Sequence, residues 1–365
     1  MSDTTTKSPQ QKGTKQDSRH AGIKRFFKKY GSWLLFAFVI TATIIVIAKN
    51  VDIEEFWKSV YSANPWYLAL AVLVVAIYWM NEAWMDLELI RIRSPHKKFD
   101  FAFNVMITGA YYNMLSPSST AGQPLMILKM VRSGMSMGDA TAVVTQKYVV
   151  YQFGVTLYAI LGIIFEWKSF LSWGKIAWFG TIFGLVFNIA AALLIYATMR
   201  YPEWTEKLIM KLCRVLEKIR ILKNKDYQQE VVKFIQSYQT VTKETDENKR
   251  ASIRVAVLQV VSLGVYYSVI FWIYKALGLS GASLFTIIMI HGILYVSYTF
   301  LPVSGGAGGA EIMFALMFGS IFGKVEMSVG LLIWRCLTFY MILLLGGIWL
   351  AYQSFHAARS FKEAS

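Results

Sequence analysis

The chain has 365 residues, 56% of them hydrophobic, with 12 tryptophans and a mean hydropathy of +0.44. This composition excludes a soluble domain and describes an integral membrane protein. The formal net charge of +15 carries no nucleic-acid motif with it, and basic loops beside anionic lipid account for it, so no nucleic-acid partner is expected.

Uncharged or nearly uncharged runs long enough to cross a bilayer, which takes about 20 residues, recur along the chain. Nothing alternates with the period of a membrane β-barrel. The predicted class is an all-α polytopic membrane protein with about six full transmembrane helices. Residues 1–24 read as a disordered basic tail, and 25–355 as the membrane domain. The basic flank Lys24, Arg25, Lys28 and Lys29 places the N-terminus in the cytoplasm of a multi-pass protein of the cell membrane. The first crossing is expected over 31–48. Phe56, Trp57, Val60 and Tyr61 then share one face of a short interfacial helix.

The second crossing is predicted from Trp66 to Leu89 and carries Asn81, Glu82 and Asp86. Near a helix end, such groups can simply reach lipid headgroups. The run Phe99–Leu115 is too short to cross, and Ser116–Pro124 interrupts it before Leu125–Val131 resumes. Helices follow over 137–165, with Gln146 and Lys147 inside, and over 176–198. Residues 200–254 hold 13 Lys or Arg against 8 Asp or Glu and read as a cytoplasmic insertion. A stripe of Trp204, Leu208, Leu212, Val215, Leu216 and Ile219 suits an amphipathic helix on the inner leaflet or a coiled-coil partner. Crossings over 252–278 and 327–353 complete the set, and 356–365 form a C-terminal tail.

Counting sides then makes 100–136 and 282–323 two re-entrant broken-helix elements entering from opposite faces. The second is the sharper: Tyr298-Thr-Phe-Leu-Pro-Val-Ser-Gly-Gly-Ala-Gly-Gly-Ala-Glu311. Pro302 stops one helix and the glycines permit backbone that other residues cannot adopt. Leu115-Ser-Pro-Ser-Ser-Thr-Ala-Gly122 aligns with Leu301-Pro-Val-Ser-Gly-Gly-Ala-Gly308, and each break precedes a helix carrying a cation, Lys147 or Arg335. A duplicated, interrupted segment of inverted topology points to a transporter with its site between the repeats. Helix N-termini and cations suit a lipid phosphate. The candidate headgroup residues are Ser118, Gly122, Gln123, Lys129 and Lys147 from the first repeat. From the second come Ser304, Gly305, Gly306, Gly308, Gly309, Glu311 and Arg335. The alternative for Lys147 and Arg335 is a salt bridge with Glu311, Glu82 or Asp86. His291, alone in a membrane run, reads either as a packing residue or as part of a proton relay. Cys213 and Cys336 form no disulfide framework or metal spacing, and no catalytic motif is present, so no catalytic residue, metal or cofactor is expected.

The set Leu115-Ser-Pro-Ser-x-x-Ala-Gly-Gln-Pro124, Leu301-Pro-Val-Ser-Gly-Gly-Ala-Gly-Gly-Ala-Glu311 and Leu332-Ile-Trp-Arg335 resembles the lysylphosphatidylglycerol synthase transmembrane region, a flippase-like family, over about residues 25–355. The resemblance implies translocation of an anionic or aminoacylated phospholipid, or of a polyprenyl-phosphate-linked lipid. A second possibility is a part in lysylphosphatidylglycerol synthesis, as the lysyltransferase or its membrane subunit. Full-length synthases add a soluble lysyl-transferase domain, which this sequence reads as lacking. Membrane phospholipid is the expected partner, with a cytoplasmic or membrane lipid-modifying enzyme beside it. Gln123 departs from the family pattern, where an acidic residue is often seen, so headgroup selectivity does not carry over.

Overall fold

The computed structural model describes residues 41, 53–117, 119–201, 203–207, 209–211, 249–299, 301 and 303–363. The expected basic tail, all of the first crossing at 31–48 but residue 41, Cys213, Ser118, Pro302 and the apolar stripe after Trp204 lie outside them. Every described element is helical: α1 Ile53–Ser62, α2 Pro65–Arg91, α3 Phe99–Leu115, α4 Gly122–Arg132, α5 Met137–Phe165, α6 Trp167–Ser172 and α7 Lys175–Arg200. After the undescribed segment come α8 Lys249–Tyr267, α9 Val269–Ala276, α10 Leu284–Thr299, α11 Gly309–Phe322, α12 Lys324–Arg335 and α13 Met341–Glu363. A π-helical turn, Cys336–Tyr340, joins the last two.

Five spans among the described residues are long and apolar enough to cross a membrane: Pro65–Arg91, Met137–Phe165, Lys175–Thr198, Arg250–Ala276 and Lys324–His356. The chain is an all-α polytopic membrane protein. Its helix starts follow local chemistry. Asn64 accepts from the Trp66 N–H at 3.0 Å with Pro65 opening α2, and Ser136 accepts from the Asp139 N–H at 3.0 Å at the start of α5. The first break is shorter than the interruption expected at 116–124. Helix α4 begins at Gly122 and holds Pro124 in its first turn, where a missing N–H leaves no intrahelical bond unmade. Helix α13 continues through the expected tail as far as Glu363. On α1 only Phe56 is buried, while Trp57 and Tyr61 stay exposed.

Packing follows the repeat. Helix α3 pairs with α4, and α10 with α11, so each broken element folds back on itself. Across the repeats, α3 packs on α13 just as α10 packs on α5, and α2 lies against α8 and α9. These contacts correspond when the two halves are exchanged. Helix α2 ties two cores together. Its first half puts Ala71 and Val75 among Ile270, Phe314, Phe318 and Trp334, and its second half puts Met85, Leu89 and Ile90 among Val105, Met130 and Val144. Helix α7 turns Phe179, Phe183, Phe187 and Leu193 outward, an apolar exterior that only lipid can cover without cost.

Candidate functional site

The two breaks touch. Pro117 and Ser304 form an antiparallel bridge, and the Ser304 hydroxyl donates to the Leu115 carbonyl at 3.1 Å. The second break is the buried side of this meeting point, with residues 304–307 buried, while Pro117 and Thr120 of the first stay exposed.

The second break is closed on itself. Glu311, on the first turn of α11, accepts from the Gly308 N–H at 2.7 Å, placing a carboxylate where the helix dipole favours one. Its other oxygen takes the Arg335 Nε–H at 2.8 Å, and Arg335 Nη1 donates to the Gly305 carbonyl at 3.1 Å. Both side chains are buried, and the guanidinium lies over the rings of Trp334, Phe339 and Tyr298. Turn bonds from Gly306 to Val303, from Ala307 to Ser304 and from Ala310 to Gly306 use further backbone donors. Gly305 (φ 59°) and Gly308 (φ 82°) adopt left-handed backbone, and a Cβ on Gly305 would overlap the Phe339 ring. Arg335 therefore forms the Glu311 salt bridge, with its Nη2 buried and unpartnered among the described residues.

The first break is held by neutral groups. The Asn113 side chain accepts from the Gly122 N–H at 2.9 Å, and the Ser116 hydroxyl accepts from the Ala121 N–H at 3.0 Å. A Cβ on Gly122 would collide with the Asn113 side chain and the Gly109 carbonyl, so glycine is what lets α4 start against α3. Ser119 takes a left-handed φ of 51° and, with Gln123, faces a cavity of about 220 Å³. This break opens onto the interior that the other one shuts out.

The cavity wall carries the chemistry. Glu82 and Asp86, one turn apart on α2, both reach the Lys147 ammonium of α5, at 3.0 and 3.4 Å. Lys147 also donates to the Glu82 carbonyl at 3.1 Å, so its three donors are filled. Gln259 of α8 donates to the second Glu82 oxygen at 2.7 Å. No other charged residue lines the cavity among the described residues, so two carboxylates face one cation. Around them stand Tyr78, Tyr148, Tyr151, Tyr266 and Tyr295, with the Tyr151 and Tyr295 hydroxyls hydrogen-bonded. The π turn supplies Thr338 to the same wall while Phe339 packs on the second break, an instance of a π insertion beside a site.

The remaining candidates divide. Gly122, Gln123 and Lys147 gather at the first break and its cavity, while Ser304, Gly305, Gly306, Gly308, Gly309, Glu311 and Arg335 form the closed second break. Lys129 stands apart: its ammonium bonds Thr108 and Gln353, each at 3.1 Å, on the α3–α13 interface. Glu82 and Asp86 do not reach toward headgroups at a helix end but turn inward to Lys147. His291 is fully buried and bonds the Tyr267 carbonyl at 2.9 Å, amid Tyr266, Tyr267 and Trp334. Sequence reasoning missed the tyrosine wall, Asn113 and Gln259. A signal did exist, since Tyr78, Glu82 and Asp86 recur every four residues and so share one face of α2.

A family model described as Lysylphosphatidylglycerol synthase TM region matches residues 34–346. The chain belongs to that family. The match covers both breaks, the cavity and Arg335, and gives the protein a role in lysylphosphatidylglycerol-related lipid handling. A search of curated proteins finds no match to the chain.

Proposed function

We propose that this member of the lysylphosphatidylglycerol synthase TM family translocates an aminoacylated phospholipid across the cytoplasmic membrane, taking its amine-bearing headgroup into the cavity beside the first break. One observation carries this reading: the cavity sets Glu82 and Asp86 against the single cation Lys147 inside a wall of tyrosines. An excess carboxylate and aromatic faces attract an ammonium, whereas a headgroup with phosphate as its only charge meets net repulsion. At about 220 Å³ the cavity suits the terminal part of a headgroup, with the acyl chains left in the bilayer. The second break supplies a rigid abutment, because its own Glu311 and Arg335 bind each other and the Gly305 and Gly308 backbone. An enzyme that makes the aminoacylated lipid would be the protein's partner.

Reconstituted vesicles containing lysylphosphatidylglycerol in the inner leaflet test the reading, with a membrane-impermeant amine reagent outside. The protein should speed labelling of the lysyl amine well above protein-free vesicles, and should move labelled phosphatidylglycerol far less. Glu82→Gln should cut amine-lipid transfer at least tenfold, the equivalent of about 1.4 kcal/mol. Equal transfer of both lipids would overturn the amine preference. Lysyl transfer from charged tRNA to phosphatidylglycerol by this chain alone would replace translocation with the synthase reading.

A further inference from the structure

The carboxylate excess poses a problem when no ammonium-bearing headgroup is bound. Lys147 cancels one charge, leaving a second carboxylate without a cation of its own among the described residues, a costly arrangement at membrane depth. The groups facing the pair are few. Helix α5 contributes Lys147, Tyr148 and Tyr151, α8 contributes Tyr266, and α10 contributes Tyr295. On α2 itself there is Tyr78, while Glu88, on the next turn, is taken up by Arg254 at 3.5 Å. To the cavity α3 brings Asn113, α4 brings Gln123 and the π turn brings Thr338, all neutral. Among the described residues no second cation lines the cavity.

Two buried amides give the site features that a carboxylate pair alone lacks. Gln152, 3% exposed, lines the cavity with its Nε2 unpartnered among the described residues, a donor open to an acceptor. Gln259, fully buried, donates from Nε2 to Glu82 while its Oε1 has no partner among the described residues. An amide turned over by a half-rotation would accept from a carboxyl O–H as readily as it donates to a carboxylate.

Building on the proposed amine-lipid reading, we propose that the Glu82–Asp86–Lys147 cluster holds one proton when no headgroup is bound and releases it when an ammonium enters, so that each loaded lipid exchanges for a proton. The balance is simple. One carboxyl O–H bond breaks, the proton passes to cavity water, and the carboxylate then faces the ammonium. Gln152 donates to an ester or phosphate oxygen beside that ammonium. No oxidant or reductant takes part. If release faces one side of the membrane and reloading the other, a proton gradient drives the lipid.

The sign follows from linkage. The lipid-free state binds the extra proton, so acid favours it and weakens lipid binding, with a limiting slope of about tenfold per pH unit. The full-length protein in phosphatidylcholine nanodiscs would be titrated with lysylphosphatidylglycerol in lightly buffered solution between about pH 5 and pH 8. Binding heat and protons released to an indicator dye would be recorded together. The expected result is release approaching one proton per lipid at the acidic end, absent for phosphatidylglycerol and abolished in Glu82→Gln and Asp86→Asn. Lysylphosphatidylglycerol binding with no proton release at any pH overturns the exchange and leaves the lipid reading standing. Binding no tighter than that of phosphatidylglycerol overturns the lipid reading, and the exchange with it. The wild-type titration decides alone if a variant does not fold.

Discussion

At the second break the N-terminus of α11 meets Glu311, a carboxylate from its own first turn, and Arg335 locks that carboxylate to the Gly305 carbonyl. At the first, the N-terminus of α4 meets the neutral Asn113, and Lys147 finds its carboxylates on α2 instead. With Leu115 aligned to Leu301, Leu125 falls opposite Glu311. That difference sets the two breaks apart. A break with its own anion neutralises its helix end and its arginine, and closes. A break without one leaves its cation to a neighbouring helix, and the space between them becomes a cavity. Similar backbone interruptions thus yield a brace at one break and a cavity at the other.

The comparison breaks most sharply at Arg335. Arg335→Gln strands the buried Glu311 carboxylate and should cost about 3–5 kcal/mol, read as a lower melting temperature in detergent, with transfer falling in step. Lost transfer with unchanged melting would make the second break a lipid site after all. Gly305→Ala adds a Cβ against the Phe339 ring and opposes a left-handed φ, for a combined cost of about 3 kcal/mol. Gly308→Ala meets open space and should cost only the backbone part, about 1 kcal/mol. Thermal melting of the two variants side by side separates overlap from strain.

Two substitutions sharpen the comparison from the other side. Asn113→Ala removes the group that satisfies the Gly122 N–H and should cost about 1 kcal/mol in melting. Its effect on transfer should exceed what that destabilisation explains, because the cavity wall moves with α4. Gln123 lines the cavity without a hydrogen bond among the described residues, so Gln123→Glu should shift stability by less than about 0.5 kcal/mol. The added carboxylate at a helix N-terminus should raise the preference for lysylphosphatidylglycerol over phosphatidylglycerol in the vesicle assay. A lowered preference would mean that the cavity reads phosphate rather than ammonium.

Much of this architecture is legible in the residues alone. The membrane class, the interruptions at Ser116 and Ser304, the helix starts near Trp66 and Met137 and the pairing of each break with a cationic helix rest on local backbone rules. Caps, glycines and proline act within a few residues of themselves, so the chain states them directly. The partner of each cation is another matter. Both the salt bridge and the lipid-phosphate reading fit the sequence around Lys147 and Arg335, because either satisfies a charge in hydrocarbon. Only packing decided that Lys147 meets Glu82 and Asp86, more than 60 positions away in the chain, by bringing α5 against α2. Packing likewise set Lys129 on α13, brought Pro117 to Ser304 and gathered five tyrosines from four helices round one cavity. Such contacts join residues with no local relation, and their energy depends on where whole helices lie rather than on any stretch of chain.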